Sequence, residues 1–459
     1  MLLFTLQVVV LLGAIFIGIR LGGIAIGYCG GLGVILLGLL LGMKPGNIPW
    51  DVILIIMSVI AAISAMQLAG GLDYLVMIAE RILRANPKYI NYLAPTVTYF
   101  LTILAGTGHT AFSMIPVIVE VAKEQNIKPS APLSIAVVAS QIAITASPVS
   151  AAVIYMAGEL EKFGWSYPLL LGIWIPTTFI GCMLTAFIIT LVRNLDLSKD
   201  EIYQERLAKG LVKAPLGASN MQLNSGAKLS VVIFLLGVLC IVLYATAISN
   251  VGGSTIISKI VSTFKGESIN IETIVPRDAA IMSFMLGIAT LITIFCKIDP
   301  SRISDTSVFK SGMIACVCVL GVAWLGNTFV GGYTEEIKTL SGDWVKQAPA
   351  LLAVIFFFAA TLLYSQAATA KAITPVVITA LGITAANPQD SYILVASFAA
   401  VSALFVLPTY PTLLGAVQMD DTGSTRLGKY VFNHAFLVPG ILAIAFSVAL
   451  GFLFAILFA

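Results

Sequence analysis

The chain has 459 residues, 59% of them hydrophobic and only 10% charged, with a net charge of +3. An ordinary soluble domain is about 25% charged, so most of this chain needs hydrocarbon as its solvent. The small, scattered excess of positive charge gives no footing for nucleic-acid binding or for a basic membrane-surface patch.

A membrane span takes roughly 20 mainly apolar residues. Such runs occur at 2–19, 22–43, 50–67, 89–108, 131–157, 168–192, 229–249, 278–296, 309–326, 350–384, 391–418 and 434–458. They predict an all-α polytopic membrane protein with 10–12 transmembrane segments. The first run has no basic residues before it and no small-x-small cleavage site after it, so it reads as a retained span and not a signal. Arg20 follows this span. Arg81, Arg84 and Lys88 follow the third, and Arg193, Lys199, Arg206, Lys209, Lys213 and Lys228 fill the central loop. Basic residues collect in cytoplasmic loops, which sets the N-terminus on the periplasmic side.

Segment 70–87 places Leu72, Leu75, Ile78 and Ile82 among charges, the pattern of an amphipathic helix lying in the interface. Segment 89–124 rises apolar, breaks at Gly106-Thr107-Gly108-His109-Thr110 and ends at Lys123 and Lys128. Its second limb is too short to cross at 1.5 Å per residue. A re-entrant hairpin with both feet on the cytoplasmic side is therefore expected. The next run is interrupted by Ser140-Gln141 and by Thr145-Ala146-Ser147-Pro148.

The polar stretch 193–228 divides the chain into an N-terminal transmembrane repeat, 1–192, and a C-terminal one, 229–459. In the second part the interruptions are Gly326-Asn327-Thr328, then Ser365-Gln366 through Thr369, Lys371, Thr374 and Pro375, and finally Pro408-Thr409-Tyr410-Pro411-Thr412. Ile48-Pro49-Trp50-Asp51 resembles Val275-Pro276-Arg277-Asp278, the segment 101–112 resembles 319–330, and Ser140-Gln141 resembles Ser365-Gln366, at spacings of 227, 218 and 225 residues. Matched features in the same order predict duplicated halves, as in many secondary carriers. The pattern does not say whether the repeats are inverted or parallel.

Breaks at membrane depth are tolerated only where they face protein or a water-filled cavity. The interrupted segments therefore carry the candidate substrate-binding residues: Thr107, Gly108, His109 and Thr110; Gln141 and Ser147; Asn327 and Thr328; Ser365, Gln366, Thr369 and Lys371; Thr409, Tyr410 and Thr412. Neutral hydroxyls and amides, with N–H groups freed at half-helix N-termini, suit a dianion. The plainer alternative for each is a hydroxyl bonded within its own helix. Lys371 is the one basic residue well inside an apolar segment. It pairs either with a substrate carboxylate or with an acid of the protein, or it snorkels to the interface.

The six cysteines lie in or beside apolar runs without a C-x-x-C pair or a Cys/His cluster, so they read as packing residues. No metal or cofactor is expected. The absence of G-x-S-x-G, H-E-x-x-H or a Walker-type loop argues against an enzyme. A carrier or a passive anion channel remains, and the duplicated, interrupted halves favour the carrier.

The motifs RLGGIAIG (20–27), GGLDYL (70–75), NPKYI (86–90), TILAGTGH (102–109), ITASPVSAAV (144–153), LYSQAATAKA (363–372) and LPTYPTLLGAVQMDDTGSTRLGKYVFNH (407–434) resemble the anaerobic four-carbon dicarboxylate transporters, the Dcu family. The aspartate/fumarate-type branch is the most similar, and the resemblance runs nearly end to end. It implies electroneutral exchange across the bacterial inner membrane, with fumarate, malate or aspartate entering as succinate leaves. Sodium- or proton-coupled uptake is the alternative within the class. The resemblance further implies kinship with ion-transporter-superfamily carriers, which have paired re-entrant hairpins, move by an elevator-like shift and are usually homodimers. A dicarboxylate-sensing membrane kinase is a further expected partner. Those carriers often have Ser-Asn-Thr tips that hold sodium, whereas this chain reads Gly-Thr-Gly-His and Gly-Asn-Thr.

Overall fold

The computed structural model describes residues 2–21, 24–108, 111–193, 195–212, 224–249, 275–333, 335–336, 345, 348–408, 410–428 and 433–458. These residues form helices and no named strand. Seven helices or continuous helical runs are individually long and apolar enough to cross a membrane.

The first half begins with α1 (Leu2–Leu21), α2 (Ala25–Ile35, continued by a π-turn, Leu36–Leu40) and α3 (Trp50–Leu68). An amphipathic helix, α4 (Gly71–Ala85), leads into α5 (Ile90–Ala105) and α6 (Ala111–Glu124). Next come α7 (Ser130–Ala143) and α8 (Ala151–Leu160), separated by an irregular stretch, then α9 (Tyr167–Val192). The linker holds a short helix, α10 (Glu201–Ala208). The second half has α11 (Ala227–Ala247), α12 (Arg277–Phe295), and α13 (Ser307–Cys318), which runs through a π-turn, Val319–Ala323, into α14 (Trp324–Gly332). It closes with α15 (Leu351–Leu363), α16 (Gln366–Leu381), α17 (Tyr392–Ser397, continued by a 3-10 stretch, Phe398–Phe405), α18 (Pro411–Met419) and α19 (Leu437–Phe458).

Polar contacts sort the helix ends into two faces. On the first, Arg84 of α4 bonds Glu80 and Glu124, Lys123 pairs with Asp421 at 3.0 Å, Lys128 with Asp200 at 3.2 Å, and the Gln67 amide donates to Ser307. On the second, Arg277 pairs with Glu161 at 2.6 Å, the Trp165 indole donates to Ser391, and the Gln7 amide donates to the Leu41 carbonyl. Among the described residues ten segments run between these faces, counting α7–α8, α13–α14 and α17–α18 as one each.

Two helix pairs do not cross. The feet of α5 and α6 both stand on the first face, so the expected hairpin is present. The run 350–384, read above as one span, is a second hairpin, α15 and α16, whose feet stand on the second face. Each hairpin is followed by an interrupted helix and then a long one, α9 or α19, and these two pack along each other. At Gly181 their contact is close enough that a Cβ would lie 2.4 Å from the Ser447 Oγ. Hairpins that enter from opposite faces make the repeats inverted.

The structure changes two further expectations and adds detail to a third. Ile90 to Leu351 and Ser130 to Tyr392 are 261 and 262 residues apart, so the duplication does not follow the spacings of 218–227 read from short motifs. Gly326-Asn327-Thr328 is not a break but lies inside α14. The Thr328 hydroxyl donates to the Trp324 carbonyl and accepts from the Gly46 N–H, and the Asn327 amide donates to the Asn47 carbonyl. The polar side chains are satisfied without interrupting the helix, and Gly326 leaves room for Leu363. Finally, α4 buries Leu72, Val76, Ala79 and Leu83, while Ile78 and Ile82 face outward. Charges between two apolar stripes suit a helix held between protein and lipid.

Five of the six cysteines are buried or partly so, Cys240 is exposed, and all six are free. The described part of the linker around α10 is docked on the protein. Asp200 caps α10 through the N–H groups of Ile202 and Tyr203, and Arg206 donates to the Asp421 carbonyl.

Candidate substrate-binding site

Both hairpin tips turn on left-handed backbone. At Gly106, φ is +66°, and a Cβ would lie 2.9 Å from the Val149 side chain and 3.1 Å from its carbonyl oxygen, so only glycine fits both the turn and the approach. The second tip turns at Tyr364, φ +57°. Ser365 then caps α16, its hydroxyl accepting from the Ala368 N–H at 3.3 Å.

Between α7 and α8 the helix tightens to a 3-10 turn, Ile144–Ala146, and opens at Ser147. Backbone groups freed at this depth need partners, and the sequence supplies them. The Ser150 hydroxyl donates to the Ile144 carbonyl at 2.6 Å and accepts from the Val153 N–H. Tyr167 donates to the Pro148 carbonyl at 2.6 Å. Ser147 donates to the Ile103 carbonyl at 2.6 Å, tying this break to the first hairpin. In the other half, α17 tightens to 3-10 geometry, and the His434 imidazole bonds the Val406 carbonyl at 3.1 Å before Tyr410 precedes α18.

The tips and breaks meet at a cavity of about 70 Å³. Gly106 and Thr107 come from the first tip, Tyr364, Ser365 and Gln366 from the second. Ile144, Ala151 and Ala152 come from one break and Tyr410 from the other, while Ile56 of α3, Ala315 of α13 and Val319 of the π-turn after it close the far wall. The rings of Tyr364 and Tyr410 stand 5.4 Å apart. Among the described residues, no charged side chain lines this cavity. The first turns of α8 and α16 both do, and the positive end of each helix dipole, equivalent to about half a charge, faces the same space.

Of the residues singled out in the sequence, Thr107, Ser365, Gln366 and Tyr410 line the cavity. Gly108 lies beside it, its Cβ position 3.5 Å from Ile144 Cδ1. Gln141 and Thr412 lie buried, with the Gln141 amide donating to the Thr412 hydroxyl at 3.3 Å and the Gln141 Oε1 without a partner among the described residues. Ser147 and Thr369 are buried and spend their hydroxyls on backbone carbonyls. Asn327 and Thr328 are elsewhere, at the second face. His109, Thr110 and Thr409 lie outside the described residues.

Lys371 is not in this cavity. It lines a vestibule of about 620 Å³ at the second face, where its ammonium pairs with Asp51 of α3 and lies 5.5 Å from the Tyr155 ring centroid. Sequence reasoning missed Asp51 as its partner, as well as Ile144, Ala151, Ala152 and Tyr364. The run of small residues after Pro148 was the available signal for a helix start pressed against a cavity. Among the described residues no cluster of three or more His, Cys, Asp or Glu side chains is placed to hold a metal.

Inverted repeats, opposed hairpins and interrupted helices around a buried cavity define a multi-pass membrane transporter. Comparison with known proteins gives the same class. The family described as anaerobic C4-dicarboxylate membrane transporter matches residues 3–459. C4-dicarboxylate transporter DcuA of Wolinella succinogenes is 63% identical over 98% of both chains. The protein of that name from Escherichia coli K12 is 54% identical over 97% of this chain and 98% of its own. Anaerobic C4-dicarboxylate transporter DcuB of E. coli O6:H1 is 36% identical over 99% of each. The chain belongs to the anaerobic C4-dicarboxylate transporter family, on the DcuA side of it, and is a transporter and not an enzyme.

Proposed function

We propose that the protein exchanges four-carbon dicarboxylates across the bacterial inner membrane by alternating access, taking up fumarate, malate or aspartate and releasing succinate. The observation that carries this reading is the convergence of two half-helix N-termini, α8 and α16, on one cavity that has no cation among its described lining residues. Such a site attracts carboxylates through dipoles and N–H donors, and it holds them weakly enough to release them on either side.

The packing supports alternating access. The hairpins, the interrupted helices, α9 and α19 form one body, and α1–α3 with α11–α14 form a frame against which it can shift. The two halves, 1–192 and 229–459, with their linker, act as the repeats whose exchange of roles opens each side in turn. Basic residues crowd the first face, which supports a cytoplasmic location for it and a periplasmic N-terminus.

Proteoliposomes test the reading. Vesicles loaded with succinate take up labelled fumarate several-fold faster than empty ones, with saturation, and the ratio is the same with and without sodium. Equal uptake by loaded and empty vesicles overturns exchange. A sodium requirement favours the symporter, and non-saturating current favours a channel.

A further inference from the structure

The vestibule and the inner cavity are neighbours along the same two helices. Ala151 and Ala152 of α8 line the cavity, and Tyr155, one turn on, lines the vestibule. Gln366 and Ala367 of α16 line the cavity, and Lys371 and Ala372 line the vestibule. Four to five residues at 1.5 Å each separate the two by about 6–8 Å. A side pocket of about 240 Å³ lies between them, sharing Ala151 with the cavity and Asp51, Tyr155 and Lys371 with the vestibule. The Lys371 ammonium lines both the vestibule and the side pocket, on the side from which the helix N-termini are approached from the second face.

That ammonium is already occupied by a carboxylate. Asp51 stands in the first turn of α3, on the frame, while Lys371 stands on the second hairpin. The Asp51 side chain is 55% exposed and the Lys371 side chain 22%. The acid is therefore the more solvated partner and leaves at little cost. The other charged groups around the side pocket are Glu159, Lys162, Arg277 and Asp278. Glu159 and Lys162 pair with each other, and Arg277 pairs with Glu161. Lys44 is the second cation of the vestibule.

Resting on the exchange reading above, we infer that Asp51 is a built-in competitor: its carboxylate holds Lys371 in place of a substrate carboxylate, and an entering dicarboxylate displaces it. Asp51 thereby sets the apparent affinity on the second face. When substrate takes its place, the contact between frame and hairpin opens, so occupancy and release of the hairpin are coupled. A monocarboxylate displaces Asp51 as well, but has no second carboxylate for the helix N-termini.

The test is counterflow of labelled fumarate in right-side-out and inverted vesicles, giving a half-saturation concentration for each face. Relative to the opposite face, D51N lowers the value on the Lys371 face by about two- to five-fold, the range for an exposed ion pair. D51E stays near the unsubstituted protein, K371M raises the value on that face, and D51N adds nothing in the K371M background. An unchanged or higher value in D51N, or a decrease that persists with K371M, overturns the inference. K371M alone also decides, because an unchanged value on that face removes Lys371 from the path. Absence of counterflow in the unsubstituted protein is a different result, which overturns the exchange reading itself.

Discussion

The Gln366 side-chain amide donates to the main-chain carbonyl of Gln141 at 3.3 Å, deep in the protein. Gln366 opens the inner helix of the hairpin that enters from the second face, and Gln141 ends the intact part of a helix that rises from the first. The bond therefore joins the two inverted repeats beside the cavity where their helix N-termini converge.

Removing that bond loosens the cavity without emptying it. Gln366→Ala loses a neutral hydrogen bond worth about 1 kcal/mol, while the Gln141 carbonyl keeps the Ile144 N–H. The half-saturation concentration for fumarate rises by roughly five-fold from both faces, measured by counterflow at matched protein levels.

The first tip depends on a glycine. In Gly106→Ala the left-handed turn costs about 1–2 kcal/mol, and the new methyl meets Val149 at 2.9 Å. The tip moves away from the break, and transport falls at least about ten-fold while the amount of protein in the membrane, read by immunoblot, stays near normal.

Close backbone approach holds the frame together. A Cβ on Gly321 would lie 1.9 Å from the Gly27 carbonyl oxygen, whereas one on Gly31, on the same α2 helix, meets nothing within 4 Å. Small residues at helix crossings serve this purpose in membranes. Gly321→Ala lowers the apparent Tm in detergent by several degrees, and Gly31→Ala leaves it unchanged.

The sequence displayed the two glycine-marked or proline-marked breaks and the first hairpin, because an interruption of an apolar run is a local event. Gly106, Ser365 and Pro408 carry their own signals. The role of Gly326-Asn327-Thr328 was misread because a polar triplet looks the same whether it ends a helix or staples a neighbouring loop. Only the position of Gly46 and Asn47, some 280 residues away, separates the two. The Asp51 partner of Lys371 was hidden for the same reason, being 320 residues distant. Offsets between short motifs misplaced the duplication because loops and the linker differ in length between halves, while hairpin and helix order is kept.

Arg277 and Glu161 form an ion pair with side chains only 10% and 14% exposed, and Ser249 donates to the same carboxylate oxygen at 2.6 Å. Breaking such a pair by removing one partner costs roughly 3 kcal/mol. Arg277→Met lowers thermal stability markedly, and the double variant E161Q/R277M recovers a large part of the loss, because it leaves no uncompensated charge. Heating curves followed by size-exclusion chromatography check the order.

The central claim is that dicarboxylate binds where the first turns of α8 and α16 face the 70 Å³ cavity. Ala367→Cys, in a background with the six native cysteines replaced, places one thiol on that wall. The measurement is its rate of modification by a small thiol reagent, with and without fumarate. The account predicts that fumarate and succinate slow the reaction in a saturable way, at the concentrations that support counterflow, and that acetate does not. Equal rates with and without dicarboxylate, in a variant that still exchanges, would contradict it.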